Sequence, residues 1–291
     1  MDFRDSADLS RSRTGRASGS GGGGGRVALG GGVGGLVLLV LTLVIGPSLG
    51  LDLTSLLGSG AQQNQGSGQA SDLSHCQQGS DIAKDRTCRW VAYEVAAQDY
   101  WSQAISGYKY GEMQLFSGTI ATACGTGQTQ MGPFYCSGDS TVYIDDQYVG
   151  QLLTQLGASG GDAAELYIVA HEFGHHVQNL EGTLRSVSRD TGENSGQVRL
   201  ELQADCYAGV FFNNTLKDPN SPIESVTKDD LLRIADAARS VGDDHIQSQQ
   251  GGFVNPESWT HGSSEQRQRW VSIGFDTGNP AACNTFNTND L

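Results

Sequence analysis

The residues with the most chemical content are two histidines four positions apart, His171 and His175, with Glu172 between them. On an α-helix, positions four apart point in nearly the same direction and lie about 6 Å apart along the axis, so both imidazoles can bind one metal ion. The segment fits the pattern His-Glu-x-x-His, in which the histidines bind zinc and the glutamate acts as a general base. It therefore predicts a zinc-binding helix.

An acidic pair, Glu201 and Asp205, has the same four-residue spacing as the two histidines and predicts a second helix that faces the first. We assign Glu201 as the third zinc ligand. Asp205 is assigned as the acceptor of a hydrogen bond from the far ring nitrogen of a ligating histidine, His171. An isolated pair of this kind is ordinarily a solvated acidic face, but its place after the histidine pair favours the metal site. Small residues nearby permit close approach of the two helices: Ala204, Ala208 and Gly209.

Two histidines and one glutamate leave the fourth position of a tetrahedral zinc ion for water, which is typical of catalytic zinc sites. One Zn²⁺ per chain is expected, with Glu172 taking the proton of the metal-bound water and passing it to the leaving amine. The arrangement predicts a zinc peptidase that hydrolyses peptide bonds within a peptide or protein substrate. Two alternatives stay open: a non-catalytic zinc-binding or scaffold protein, and a zinc amidase that acts on a non-peptide amide.

The apolar pattern predicts the elements that position these residues. Helical spacing runs from 82 to 105, and short strands are expected at 113–116 and 141–144. Further helices are predicted at 161–180, 196–212, 227–241 and about 263–273, the third opening on Thr227 as a helix cap. Strands precede most of the helices, which indicates an α+β domain, mainly helical with a small sheet, over residues 75–291.

The first 74 residues differ from this pattern. Residues 1–26 contain a Gly/Ser-rich stretch and five arginines without apolar periodicity, and predict a disordered cytoplasmic tail. Residues 27–51 carry no charge, which predicts one transmembrane helix that serves as a signal-anchor. Residues 52–74 are rich in Gly, Gln and Ser and predict a flexible linker. A cleaved signal peptide fits less well, because no clear Ala-x-Ala site follows.

Charge and cysteine content bear on the compartment. Five arginines against three aspartates precede the apolar run, so the positive-inside rule predicts a single-pass membrane protein with its N-terminus in the cytoplasm and its catalytic domain outside. The net charge of −14 argues against a nucleic-acid partner, which requires basic patches.

The six cysteines all follow the apolar run and predict three disulfides. Their spacing favours Cys76–Cys88 and Cys124–Cys136, and by elimination Cys206–Cys283. The sequence alone leaves the other connectivities open.

Several blocks of the sequence, in order, resemble the neutral zinc metallopeptidase family of membrane-anchored bacterial proteins. They are Ala123-Cys-Gly, Gly132-Pro-Phe-Tyr-Cys, Val142-Tyr-Ile-Asp, the HEFGHH segment from His171, Glu201-Leu-Gln-Ala-Asp-Cys and His261-Gly-Ser-Ser-Glu-Gln-Arg. The resemblance covers most of residues 75–291. It implies a zincin-like metallopeptidase domain of the gluzincin type, in which the Glu201 segment supplies the third ligand.

The resemblance implies further roles. The His261 block is similar to a segment that follows the ligand helix in some membrane gluzincins. His261 is therefore a candidate to donate a hydrogen bond to the developing oxyanion, and Arg267 to anchor this segment near Asp205 or another carboxylate. A helix-capping loop with a surface salt bridge is the alternative. Zincins also align an extended substrate beside an edge strand, and 142–145 or 113–116 are candidates for that strand.

Overall fold

The computed structural model describes residues 1–17 and 73–291. The predicted signal-anchor at 27–51 lies outside these residues, as does most of the predicted linker at 52–74. Within the described parts of the chain, no helix combines the length and hydrophobicity that a bilayer span requires. The second described segment starts with a short 3-10 helix, Leu73–His75, which buries Leu73 in the core.

The predicted α+β class is confirmed, with helices predominating over the strands among the described residues. The helices are α1 (Cys88–Ala104), α2 (Val149–Gln155), α3 (Asp162–Glu181), α4 (Thr183–Ser186), α5 (Gly196–Thr215), α6 (Lys228–Ser240), α7 (Asp243–Gln249) and α8 (Ser264–Thr277). The short helices α2, α4 and α7 are additions to the sequence-based prediction.

Three of the longer helices begin at polar caps. Ser195 accepts the backbone N–H of Val198 at the start of α5. Thr227 and Ser263 form capping boxes at the starts of α6 and α8. Each cap satisfies backbone donors that have no partner within the helix, and so fixes where the helix starts.

The strands are β1 (Asp2–Phe3), β2 (Thr14–Arg16), β3 (Glu112–Leu115), β4 (Thr119–Thr122), β5 (Gly125–Gln128), β6 (Phe134–Cys136), β7 (Thr141–Ile144) and β8 (Ile223–Ser225). The main sheet has the order β2-β3-β7-β6, parallel except for β6, and β4 and β5 form a separate hairpin.

The main sheet corrects the proposed substrate strand. Both candidates, 113–116 and 142–145, fall on β3 and β7, which are interior strands with partners on both sides. Their backbone N–H and C=O groups already form hydrogen bonds with the neighbouring strands, so they cannot pair with an extended peptide. Within the described residues, β6 is the edge of this sheet beside α3, and Phe134 and Tyr135 on it line the cavity described below.

The prediction of a disordered tail at 1–26 is wrong for residues 1–17, which are folded onto the domain. In this N-terminal arm, β1 pairs with β8 and β2 pairs with β3. Ala7 and Leu9 are 3% and 1% exposed in the main core. Backbone hydrogen bonds attach the rest of the arm to the domain. Ala7 and Leu9 are two isolated buried residues, and two such residues do not produce a periodic apolar pattern in the sequence. That is why sequence periodicity did not reveal the arm.

The two helices that carry the predicted metal ligands cross at Gly174 of α3 and Ala204 of α5. A Cβ atom on Gly174 would lie 3.0 Å from both the Cα and the carbonyl oxygen of Ala204. The crossing therefore depends on the missing side chain, and it lies next to His175 and within one turn of Glu201. Close approach at this point brings the two sets of ligands together.

Gly209 serves a different contact from the one predicted. It packs against α8 and not against α3, since a side chain there would clash with the backbone of α8 at Val271. Gly274 of α8 packs in turn against the carbonyl of Cys206. The two glycines interlock α5 with α8, the helix that carries Arg267.

The three predicted disulfides are present: Cys76–Cys88, Cys124–Cys136 and Cys206–Cys283. The last one ties the C-terminal segment to α5, which carries two of the candidate site residues. All six cysteines of the chain are paired.

The arm contributes to stability through Leu9. Leu9→Ala should lower the free energy of unfolding by about 2–5 kcal/mol, because it removes a buried side chain and leaves a cavity. Urea denaturation of the full chain measures the change. The exposed Leu232, 60% accessible on α6, provides the matched Leu232→Ala control and should change stability little. Equal, small effects of both substitutions would show that the arm does not pack as described.

Candidate metal centre

His171, His175 and Glu201 meet where α3 crosses α5. Nε2 of His171 lies 3.2 Å from Oε2 of Glu201, and Nε2 of His175 lies 3.5 Å from Oε1 of the same carboxylate. Candidate ligand atoms of all three residues lie within 4.8 Å of one another. His171 and Glu201 are buried and His175 is nearly so. The structure thus brings the three predicted ligands together.

The geometry of this group fits zinc. With bonds of about 2.0–2.2 Å, two ligand atoms of a tetrahedral zinc site lie about 3.3–3.6 Å apart. The two nitrogen–oxygen distances measured here are close to this range. The donor set of two imidazoles and one carboxylate is also one that catalytic zinc sites use. These residues could therefore hold one zinc ion with an open position.

Hydrogen bonds fix the orientation of both histidines. Nδ1 of His171 donates to Oδ1 of Asp205 at 2.8 Å, and Nδ1 of His175 donates to Oε1 of Gln178 at 2.8 Å. We assign the ring protons to Nδ1 in both because carboxylate and amide oxygens accept. Each Nε2 is then free to act as a metal ligand, which is the arrangement that outer hydrogen bonds commonly impose on zinc-binding histidines.

Asp205 is the centre of a buried network. Its carboxylate is fully buried and accepts hydrogen bonds from Tyr167, His171 and Arg267. Arg267 donates from Nε to Oδ2 at 2.8 Å and from Nη2 to Oδ1 at 2.9 Å, the two-pronged geometry that suits a carboxylate. Of the carboxylates that the resemblance left open for Arg267, the structure places it next to Asp205, and the contact is buried and not a surface salt bridge.

The charges of this network shift the pKa values of its members. Burial alone would lower the pKa of His171, but the carboxylate of Asp205 outweighs it and raises that pKa to about 9. Burial likewise opposes ionisation of Asp205 and Glu201. The guanidinium of Arg267 holds the pKa of Asp205 below its usual value, and the two histidines hold that of Glu201 well below its usual value. Both carboxylates are therefore ionised at neutral pH.

Glu172 behaves in the opposite way. It is 8% exposed, and burial raises the pKa of its carboxyl despite the two neighbouring histidines. It lines a single cavity together with the three candidate ligands, His261 and Arg267. A carboxylate whose pKa is raised toward neutrality, in a cleft beside a metal-binding group, is suited to proton transfer.

His261 also faces this cavity, and Asp243 holds it there. The Asp243 carboxylate accepts the backbone N–H groups of Thr260, His261 and Gly262 at 2.8, 2.6 and 3.0 Å, and Oδ1 lies 3.3 Å from Nδ1 of His261. Burial would lower the pKa of His261, but the Asp243 carboxylate outweighs it and raises the pKa. Asp243 therefore both shapes the 260–262 loop and favours the protonated imidazole.

Sequence reasoning missed three residues of this site: Tyr167, Gln178 and Asp243. Tyr167 lies four positions before His171 and Gln178 three positions after His175, so helical spacing could have identified both as neighbours of the ligands. Asp243 gave no such signal, because a long-range loop contact brings it to His261. His176 faces away from the metal group: Nε2 contacts the carbonyl oxygen of Lys109 and Nδ1 contacts the hydroxyl of Tyr135.

A second group with metal-ligand chemistry, His75 with Cys76 and Cys88, does not form a metal site in this state. Both sulfur atoms belong to one disulfide, so neither is available as a thiolate ligand. The group at the crossing of α3 and α5 is therefore the candidate centre.

Comparison with known proteins agrees with this geometry. A family model described as "putative neutral zinc metallopeptidase" matches residues 1–286. The uncharacterized protein Rv2575 of Mycobacterium tuberculosis is 45% identical over 226 residues, which are 76% of this chain and 77% of that protein. The uncharacterized protein YpfJ of Escherichia coli is 38% identical over 296 residues, 97% of each chain. No solved structure shows a significant match.

Asp205→Asn tests the network. Zinc affinity should fall by about 10- to 100-fold, because His171 loses the carboxylate that fixes its orientation. The free energy of unfolding should also fall by about 3–5 kcal/mol, since the Arg267 charge stays buried without its partner. Competition with a chelator measures the first effect and urea denaturation the second. Asp229→Asn, at a side chain that is 71% exposed, is the matched control. Unchanged zinc affinity in Asp205→Asn would contradict the assignment.

Proposed function

The chain belongs to the neutral zinc metallopeptidase family, and from this premise we propose that it is a zinc-dependent peptidase that hydrolyses peptide bonds. The observation that carries the proposal is the shared cavity of His171, His175 and Glu201 with the buried carboxyl of Glu172. Three ligand groups supply a metal site, and the fourth residue supplies a proton acceptor beside it.

The metal is proposed to be a single zinc ion held by His171, His175 and Glu201. When bound, zinc polarises a carbonyl group and makes water nucleophilic at neutral pH. Asp205 and Gln178 orient the two histidines, and Arg267 compensates the buried charge of Asp205. These residues act on the ligands and not on the substrate, so they are positioning residues.

Glu172 is the proposed general base and acid. It accepts the proton of the attacking water and delivers it to the amine that leaves when the C–N bond breaks. Its raised pKa supports the first half of this role, because a carboxylate of higher pKa is a stronger base towards the proton of the water.

His261 is the proposed electrophilic partner. Its Nδ1 side is turned to Asp243 and Thr260, which leaves Nε2 as the ring nitrogen available to the cavity. A protonated imidazole there can donate to the carbonyl oxygen as negative charge develops on it. The Asp243 carboxylate supports this role, since it favours the protonated form of His261.

The site favours peptidase activity over the two alternatives. A purely structural zinc site has no use for a buried carboxyl such as Glu172, whose desolvation is unfavourable unless the group has a function. The cavity is lined mainly by aliphatic and aromatic side chains, which suit apolar peptide side chains better than the hydroxyl-rich groups of a cell-wall amide. We therefore propose a peptide or protein substrate.

The compartment is part of the proposal. The three disulfides support an oxidising environment, as outside the cytoplasmic membrane, because such bonds form and persist there. The net charge of −14 supports a function without a nucleic-acid partner. The uncharged segment 27–51 is proposed to attach the protein to the membrane.

Glu172→Ala separates catalysis from metal binding. The variant should retain one zinc ion per chain, because the three ligands are unchanged, and should lose turnover of a peptide library by a factor of about 10² to 10⁴. Metal analysis and mass spectrometry of the cleaved peptides measure the two properties. Glu181→Ala, at the end of the same helix and outside the cavity, is the control and should cleave normally. Undiminished turnover in Glu172→Ala would refute the proposed role.

A further inference from the structure

We propose that the substrate inserts one bulky apolar side chain, of the size of leucine or phenylalanine, into the cavity beside Glu172. This inference rests on the proposed peptidase function and specifies its substrate class. One part of the cavity lining is polar and consists of the three candidate ligands together with Glu172 and His261. Its apolar lining on this side, here called the Ile168 wall, consists of Ile168, which packs against the main core, and of Leu152, Leu156, Val241 and Ile246 from a small separate cluster.

The Ile168 wall lies next to the proposed chemistry. Ile168 precedes Glu172 by one helical turn on α3, and residues four apart on a helix share a face. Leu152, Leu156 and Ile246 pack on one another in a small cluster that is separate from the main core. The side chain that enters this wall therefore belongs to a residue close to the scissile bond.

The size of the cavity limits what can enter it. Its total volume, including the space beside the candidate ligands, is about 160 Å³, close to the roughly 150 Å³ of an engineered apolar cavity that binds benzene. A phenyl ring or a branched aliphatic side chain fills such a space. A charged side chain would lose hydration there without gaining a partner on the Ile168 wall, so it is disfavoured.

Binding to the inactive Glu172→Gln variant tests the inference without cleavage. The probes are capped pentapeptides of glycine with phenylalanine, leucine, alanine or aspartate at the centre, bound to the zinc-loaded full chain. The phenylalanine and leucine peptides should bind about 10- to 100-fold more tightly than the alanine peptide, and the aspartate peptide more weakly still. Equal affinities for all four would overturn the proposal.

A variant at the wall provides the second arm. Ile168→Trp fills the cavity and should reduce the affinity for the phenylalanine peptide to that for the alanine peptide. Leu232→Trp, on the exposed face of α6, is the matched control and should retain the preference. If the preference holds but the wild-type chain cleaves no peptide, the proposed function fails and the apolar site stands. If peptides are cleaved without this preference, only the apolar site fails.

A second, independent observation concerns the N-terminal arm, residues 1–17. We propose that the arm and residues 73–291 occupy the same side of the membrane. The arm supplies β1 to β8 and β2 to β3 through direct backbone pairing. Its Arg16 makes a two-pronged ion pair with Asp146, with distances of 2.9 and 2.7 Å. Strand pairing requires contact, so the two segments share one compartment.

This packing is incompatible with an N-terminus in the cytoplasm and a domain outside. Such an arrangement would separate β1 from β8 and β2 from β3, and would expose Leu9, which is 1% accessible in the folded state. Residues 17 and 73 belong to one folded body. The arm therefore lies on the same side of the membrane as the disulfide-bonded domain.

Cysteine accessibility tests this topology in intact cells. Ser6→Cys in the arm and Ser272→Cys on α8 are exposed positions, and the wild type is the unlabelled control because its six cysteines are all paired. With a membrane-impermeant maleimide, both variants should react alike before permeabilisation: both labelled if the protein lies outside, both protected if it lies inside. Labelling of one variant and protection of the other would overturn the proposal.

Discussion

The candidate site depends on one buried carboxylate, that of Asp205. It is completely enclosed, and two other helices supply the three donors that compensate its charge: Tyr167 and His171 from α3 and Arg267 from α8. An ionised carboxylate in the interior is tolerated only with such partners, because desolvation of the unpaired charge is strongly unfavourable. The requirement to satisfy Asp205 therefore fixes the positions of three helices relative to one another, and with them the orientation of His171.

The packing of the backbone makes this arrangement possible. Gly174 allows α3 to approach Ala204 of α5, and Gly209 and Gly274 allow α5 and α8 to interlock. Because each contact brings a glycine against a neighbouring backbone, larger side chains at these points would separate the helices. The Cys206–Cys283 disulfide and the capping box of Ser263 then restrain α5 and α8. The packing of α5 against α8 thus brings Arg267 close to Asp205 independently of the attraction between their charges.

The sequence predicted the parts of the site that follow from local spacing. His171 and His175, and Glu201 and Asp205, each lie one helical turn apart, so their shared faces could be read directly. Asp243 and the arm could not, since both depend on contacts between residues far apart in the chain. The substrate strand was misassigned for the same reason: the sequence marks β3 and β7 as strands but does not give their order, which determines the edge.

The two glutamates of the cavity show how one fold assigns different roles to the same side chain. Glu201 lies between the two histidines, and its contacts with them outweigh burial and keep its pKa well below the usual value, so it stays an anionic ligand. Glu172 is equally buried, but burial outweighs the same histidines and raises its pKa. Since the residue type is identical, the difference arises from position: Glu201 contacts the imidazoles directly, whereas Glu172 lies beside the Ile168 wall. The pKa values of these two neighbouring carboxyls shift in opposite directions, which suits Glu201 to metal binding and Glu172 to proton transfer.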